Sequence, residues 1–81
     1  MNDRLRRLLG DLFDLEPEEI RPDLMREDID LWDSLNHLRL TNAIEETFDV
    51  RLTMAEIEWI DGVGRLLELL AAHGRADVAA S

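Results

Sequence analysis

Cysteine and lysine are absent from this chain of 81 residues, and proline and glycine together contribute only six. Without cysteine the chain can form no disulfide framework, thiolate zinc site or thiol nucleophile. Two histidines are too few for a histidine-rich metal cluster. The 46% of hydrophobic residues is typical of a globular protein rather than a disordered one. At this length we expect a single domain with one thin core and no deep active-site cleft.

Positive charge is also scarce, because nine arginines face 19 acidic residues and the net charge is −10. A nucleic acid or an anionic membrane would be repelled, whereas a protein with a basic patch would be attracted. The N-terminal segment interrupts its apolar residues with Asp3, Asp11 and Asp14, so it does not resemble a signal peptide. We therefore expect a soluble, cytoplasmic protein, and a monomer because no apolar stripe is left over.

Helical periodicity appears first in residues 3–15. Its apolar positions recur at the spacing of an amphipathic helix and are Leu5, Leu8, Leu9, Leu12 and Phe13. Asn2 or Asp3 can cap this helix, and Gly10 inside it predicts an irregularity.

A long loop over residues 16–33 follows. Pro17 and Pro22 interrupt any helix, although a single turn from Pro17 to Ile20 fits proline at a first helical position. From Asp14 to Asp33 there are nine acidic residues and two arginines, so this stretch carries most of the negative charge. A loop of this length in so small a domain is usually functional.

Three further helices are predicted. The second covers residues 35–48 with Asp33 or Ser34 as its cap, and places Leu38, Ile44 and Phe48 toward a core. A short third helix runs from about Thr53 to Trp59, where Thr53 and Glu56 fit a capping box. The fourth begins with Asp61 as its cap, ends near His73 and stops at Gly74. The fold class is thus all-α: a four-helix bundle with three longer helices, one short third helix and a long first loop. We expect one domain over residues 1–74 and a flexible tail over residues 75–81.

The sequence Asp33-Ser34-Leu35 places a hydroxyl at the start of a helix, directly after the acidic loop. Serine at such a position is usually only a cap, and this triplet alone is a weak signal. The unpaired N–H groups and the dipole of a helix start favour a phosphate ester on Ser34. Asp30 and Asp33 would repel that phosphate unless a divalent metal came with a modifying enzyme.

Residues 20–70 resemble acyl carrier proteins and the related peptidyl carrier domains. The resemblance rests on IRPD (residues 20–23), DLWDSLNHLRLTNAIEETFDVRL (30–52) and IEWIDGVGRLLELL (57–70), which follow the order and loop lengths of that family. It implies that Ser34, between Asp33 and Leu35, carries 4′-phosphopantetheine transferred from coenzyme A. The thiol of that arm then holds an acyl group as a thioester, and the protein itself catalyses nothing.

The resemblance also implies partners and further sites. The partners are a phosphopantetheinyl transferase, an acyl-loading enzyme or acyltransferase, and ketosynthase-type enzymes. A docking surface is expected at Asp30, Trp32, Leu38, Arg39, Glu45, Glu46, Glu56 and Glu58. An acyl cavity lined by Leu38, Ile57 and Ile60 is a further possibility, although residues at helical spacing belong first to a core.

Three residues depart from the pattern of fatty-acid-synthesis carriers: Trp32, His37 and Arg39. The arginine-only basic set and the sequence WDSL (residues 32–35) look more like a discrete, stand-alone carrier of polyketide or other specialised-metabolite assembly. A peptidyl carrier, a fatty-acid-synthesis carrier and an acidic helical adaptor without an arm remain alternatives. His37, three residues after Ser34, suggests a Ser–His nucleophile, but no oxyanion donor or third group accompanies it. We expect a solvated His37 and no metal site.

Overall fold

The computed structural model describes residues 1–80, with side chains up to Val78. Over these residues the secondary structure is helical and contains no strand, only an isolated antiparallel bridge between Met25 and Gly62. The helices are α1 (Asp3–Phe13), α2 (Ser34–Phe48), α3 (Met54–Trp59), α4 (Val63–Ala72) and a short α5 (Asp77–Ala80). The predicted all-α bundle with a short third helix and a long first loop is confirmed. None of the described helices is long and apolar enough to cross a membrane.

Helix α1 begins and ends at clear local signals. The Asn2 side chain accepts hydrogen bonds from the N–H groups of Arg4 at 2.8 Å and Leu5 at 3.3 Å. The helix ends at Asp14, whose φ of 54° lies in the left-handed region. It runs unbroken through Gly10, so the predicted irregularity is wrong.

The core is formed by the apolar stripes of the helices. Leu5, Leu9 and Phe13 of α1 are buried against Leu40 and Ile44 of α2 and residues of α4 within one cluster. The remaining buried apolar side chains are Ile20, Leu24, Trp32, Phe48, Val50, Ile60, Val63, Leu66, Leu69, Leu70 and Val78. Three of these belong to the first loop, so that loop is part of the packed structure.

The first loop is held to the junction between α3 and α4. It contains the predicted turn at Pro17–Glu19 and a second 3-10 turn at Arg26–Asp28. The N–H of Arg26 donates to the Asp61 carbonyl at 2.7 Å, and the N–H of Val63 donates to the Leu24 carbonyl at 2.9 Å. A Cβ at Gly62 would lie 2.6 Å from the same Leu24 oxygen, so only glycine fits between the two segments.

Helix α4 starts differently from the prediction. Asp61 does not cap it; the N-cap is Gly62, and the Asp61 carboxylate instead lies 3.5 Å from Nη1 of Arg65. Its end is as predicted, because Gly74 has a φ of 84° and its N–H donates to the Ala71 carbonyl at 3.1 Å. This arrangement is a glycine-terminated helix end.

The predicted boundary at Gly74 needs correction, because the residues just after it are packed. Arg75 donates through Nε to the Phe48 carbonyl at 2.8 Å. Val78 is 1% exposed, and its carbonyl accepts from the N–H of Asn2 at 2.7 Å. The packed part of the chain therefore reaches at least Val78, and Ser81, the end of the predicted tail, lies outside the described residues.

Candidate functional site

Ser34 is the first residue of α2 and is exposed. Of the two predicted caps, the structure uses Asp33, whose Oδ1 accepts from the N–H of Asn36 at 2.8 Å. Because Asp33 has extended backbone angles, its carboxylate folds back over the helix start. Among the described residues no side chain or backbone group hydrogen-bonds the Ser34 hydroxyl. The hydroxyl is therefore exposed and not used for capping.

The backbone that leads to Ser34 is fixed by two side-chain contacts. Asn36 donates through Nδ2 to the Leu31 carbonyl at 2.7 Å, and Arg26 donates through Nε to the Trp32 carbonyl at 3.1 Å. The first contact ties the loop end to α2, and the second ties it to the 3-10 turn before it.

Trp32 and His37 both lie inside the protein, which corrects two predictions. Trp32, expected on the docking surface, is 3% exposed, and its ring stacks on Phe13 with centroids 4.7 Å apart. His37, expected to be solvated, is 6% exposed. Nε1–H of Trp32 donates to Nδ1 of His37 at 2.9 Å, while Nε2 of His37 lies 2.8 Å from the Ile57 carbonyl oxygen. The sequence offers one signal for this pair: Trp32, which can donate, and His37, which can accept, lie on either side of the predicted start of α2.

Apolar side chains surround Ser34 on the surface. Leu31, Leu35 and Leu38 are 46%, 58% and 52% exposed. Leu38 was predicted to face the core and to line an acyl cavity, and its exposure contradicts the first prediction. Ile57 is half-buried and Ile60 is 1% exposed within the core cluster, so the three residues lie at different depths. The cavity they were expected to form stays a prediction.

The acidic residues predicted for docking fall into two groups. Asp30, Glu46 and Glu58 are exposed, as is the basic Arg39. Glu45 and Glu56 instead make internal hydrogen bonds. Glu45 Oε2 accepts from the N–H of Leu52 at 2.9 Å, and this bond joins the end of α2 to the loop before α3. The docking role of all these residues stays a prediction.

Glu56 uses both carboxylate oxygens within the protein. Oε1 accepts from the N–H of Thr53 at 2.8 Å, which completes the predicted capping box at the start of α3. Oε2 lies 2.9 Å from Nε2 of His73, at the end of α4. The Thr53 backbone hydrogen bond is the main cause that lowers the pKa of Glu56 below its ordinary value, and His73 adds to it. Glu56 thereby connects α3 to α4.

The residues around Ser34 can be described by what they could hold and by what surrounds the hydroxyl. Within the described residues no three His, Cys, Asp or Glu side chains form a group that would hold a metal ion. Both nitrogens of His37 are engaged elsewhere, so His37 is not available as a base for Ser34. A phosphate ester fits at Ser34, because the side chain is exposed and the first N–H groups of a helix lack partners within it.

The fold is thus a small helical bundle that displays the exposed Ser34 hydroxyl at the start of α2. Comparison with known families agrees: the model of the family described as "phosphopantetheine attachment site" matches residues 3–70. A polyketide-8 synthase acyl carrier protein 2 of Streptomyces avermitilis is 37% identical over 71 residues, which cover 86% of this chain and 80% of that protein. The chain belongs to the phosphopantetheine-binding carrier family, whose members bear covalent 4′-phosphopantetheine.

Proposed function

We propose that this chain is an acyl carrier of polyketide assembly and that Ser34 is the residue to which 4′-phosphopantetheine is attached. The observation that carries the proposal is the exposed, unbonded hydroxyl of Ser34 at the start of α2, within the region matched by the family. Support for polyketide assembly comes from the similarity to the Streptomyces avermitilis carrier. We further propose that the chain acts as a monomer in the cytoplasm and is not itself an enzyme.

The attachment is a phosphoryl transfer to Ser34. The Ser34 Oγ forms a bond to the phosphorus that bears pantetheine in coenzyme A, and the diphosphate P–O bond of coenzyme A breaks. The serine proton leaves, and the second product is adenosine 3′,5′-bisphosphate. His37 is engaged within the protein, and we expect a phosphopantetheinyl transferase to supply the base and the metal for this step. When bound, the arm supplies a terminal thiol that the cysteine-free chain lacks.

We propose that partner enzymes dock on the surface around Ser34. Leu31, Leu35 and Leu38 offer exposed apolar area, and Asp30, Glu46 and Glu58 offer negative charge. A phosphopantetheinyl transferase, an acyltransferase or a ketosynthase with a basic patch would be attracted to such a surface at long range. Arg39, exposed on the same helix, would oppose that attraction and make docking selective.

The test is the intact mass of the protein after incubation with coenzyme A, Mg²⁺ and a broad-specificity phosphopantetheinyl transferase. We expect one added phosphopantetheine in the wild type and none in Ser34→Ala. Ser81→Ala is the matched control, because Ser34 and Ser81 are the only serines of the chain, and it should gain the arm normally. A wild type without added mass, beside a control carrier that is modified, would instead support the arm-less acidic adaptor.

The identity of the loading enzyme separates the remaining alternatives. A polyketide carrier with its arm attached accepts an acyl group from an acyltransferase, whereas a peptidyl carrier accepts an aminoacyl group from an adenylating enzyme. We expect acyl loading, because the strongly acidic surface is the feature of this chain that favours it. Aminoacyl loading alone would establish the peptidyl carrier. If fatty-acid-synthesis enzymes elongated an acyl chain on this protein as fast as on their own carrier, the chain would be a fatty-acid-synthesis carrier.

A further inference from the structure

Trp32 and His37 lie on either side of Ser34 in sequence and connect three helices around it. The Trp32 ring packs on Phe13 at the end of α1, with an angle of 19° between the ring planes. Its indole N–H donates to His37 of α2, and His37 in turn contacts the Ile57 carbonyl of α3. The start of α2 is therefore held from two sides by buried groups.

The hydrogen-bond partners of His37 determine its tautomer. An indole nitrogen can only donate, and a carbonyl oxygen can only accept. Nδ1 of His37 must therefore carry a lone pair toward Trp32, and Nε2 must carry the proton toward Ile57. Both polar groups are satisfied, which offsets the cost of burying them.

The backbone of Trp32 is held as firmly as its side chain. Its N–H donates to the Ile29 carbonyl at 3.1 Å, and its carbonyl accepts from Nε of Arg26 at 3.1 Å. The Ser34 side chain, by contrast, makes no hydrogen bond among the described residues. The neighbours of Ser34, above all Trp32 and the Asp33 cap, therefore fix the position of its backbone and leave its side chain free to turn.

We propose that Trp32 and His37 are positioning residues, whose hydrogen bond fixes the backbone at the start of α2 and so the place at which the Ser34 side chain meets the transferase. This inference rests on the proposed attachment of the arm at Ser34. Two apolar side chains would fill the same volume, but only a hydrogen bond fixes the direction of one ring relative to the other. Small displacements of a reacting atom lower transfer rates strongly, whereas docking through distant surface residues is unaffected.

The variants separate positioning from folding. Trp32→Phe keeps a ring against Phe13 but removes the donor. Trp32→Phe/His37→Leu removes both side chains of the pair and leaves only the Ile57 carbonyl without its donor, a loss that the stability measurement records. His37→Gln retains an acceptor and a donor and serves as the conservative variant. Val78→Ala is the matched control for lost stability. Val78 packs near Phe48 at the opposite end of α2, and 15 residues of helix span about 22 Å.

We would measure kcat and KM for phosphopantetheinyl transfer to each variant, beside its stability in urea. For Trp32→Phe and for the double variant we expect kcat to fall about tenfold, with KM changed less than about twofold. His37→Gln should keep most of the wild-type kcat, and Val78→Ala should keep all of it despite its lower stability. In ¹⁵N spectra of the wild type, His37 should carry its proton on Nε2.

Each contrary result has a distinct meaning. A wild type that receives no arm refutes the proposed attachment itself. A modified wild type with a double variant that reacts equally fast refutes the positioning role alone. Rates that follow stability across all variants, Val78→Ala included, would show that the pair is merely structural. A proton on Nδ1 of His37 would contradict the hydrogen bond on which the inference depends.

Discussion

Ser34→Ala is expected to leave the protein as stable as the wild type. The sequence alone suggests the loss of a helix cap, because either Asp33 or Ser34 can fill that position. In the structure the cap is Asp33, and the Ser34 hydroxyl has no hydrogen bond to lose among the described residues. The proposed attachment residue and the residue that caps the helix are therefore different, and substitution can separate them.

The magnitudes follow from the two positions. Serine and alanine differ in helix propensity by at most about 0.5 kcal/mol, in favour of alanine, so Ser34→Ala should change the free energy of unfolding by less than that. Asp33→Ala removes the acceptor for the Asn36 N–H and should cost about 1 kcal/mol. In a domain of this size that loss lowers Tm by about 4–8 °C. Asp33→Asn keeps an acceptor oxygen and should lose less.

Urea unfolding followed by circular dichroism at 222 nm measures these differences, with all four proteins compared at one pH and ionic strength. If Ser34→Ala lowered the free energy of unfolding by about 1 kcal/mol, Ser34 rather than Asp33 would be the helix cap, and the assignment would be refuted. An Asp33→Ala variant as stable as the wild type would refute it equally. Intact-mass measurements on the same samples would show whether a folded Asp33→Ala still receives the arm.

Three further predictions concern other parts of the structure. The pKa of Glu56 is lowered in the folded protein, so its contribution to stability is present above its ordinary pKa of 4.5 and is lost as the pH falls through the folded pKa. In urea unfolding, the stability difference between wild type and Glu56→Gln should therefore shrink as the pH is lowered through that range. Gly62→Ala places a methyl group 2.6 Å from the Leu24 oxygen and should cost about 2 kcal/mol in the same assay. Arg39→Glu should lower KM for a transferase with a basic patch, and this gain should disappear at high salt.

The elements that depend on local signals could be predicted from the sequence, whereas those that depend on tertiary contacts could not. The capping box of Thr53 and Glu56 and the helix end at Gly74 are short-range patterns, and the structure contains both. Asp61 has the right residue type for a cap, but the first loop packs against Gly62 so closely that α4 begins after it. Val78 could not be placed, because the hydrogen bond to its carbonyl comes from Asn2 at the opposite end of the chain.

Within the candidate site, too, local patterns could be predicted from the sequence and tertiary contacts could not. Ser34 could be singled out because its triplet and the helix after it form a continuous motif. The burial of His37 could not be predicted, because the acceptor for its Nε2–H is the backbone carbonyl of a residue 20 positions away. Every residue has a backbone carbonyl, so the sequence does not indicate which one accepts. Leu38 was misplaced because α2 has a face that no other helix covers, and periodicity does not say which apolar positions are left exposed.

The residues around Ser34 are either buried or exposed, and substitutions in the two groups should have different effects. Trp32 and His37 are buried and, in our proposal, fix the position of Ser34, whereas Leu35 and Glu46 are exposed and can contact a partner. A change in the buried pair should therefore affect the transfer step itself. A change in an exposed residue should alter affinity for one partner and leave others unaffected, since each enzyme covers its own part of the surface. Substitutions at the exposed positions should thus change partner choice without disturbing the proposed attachment at Ser34.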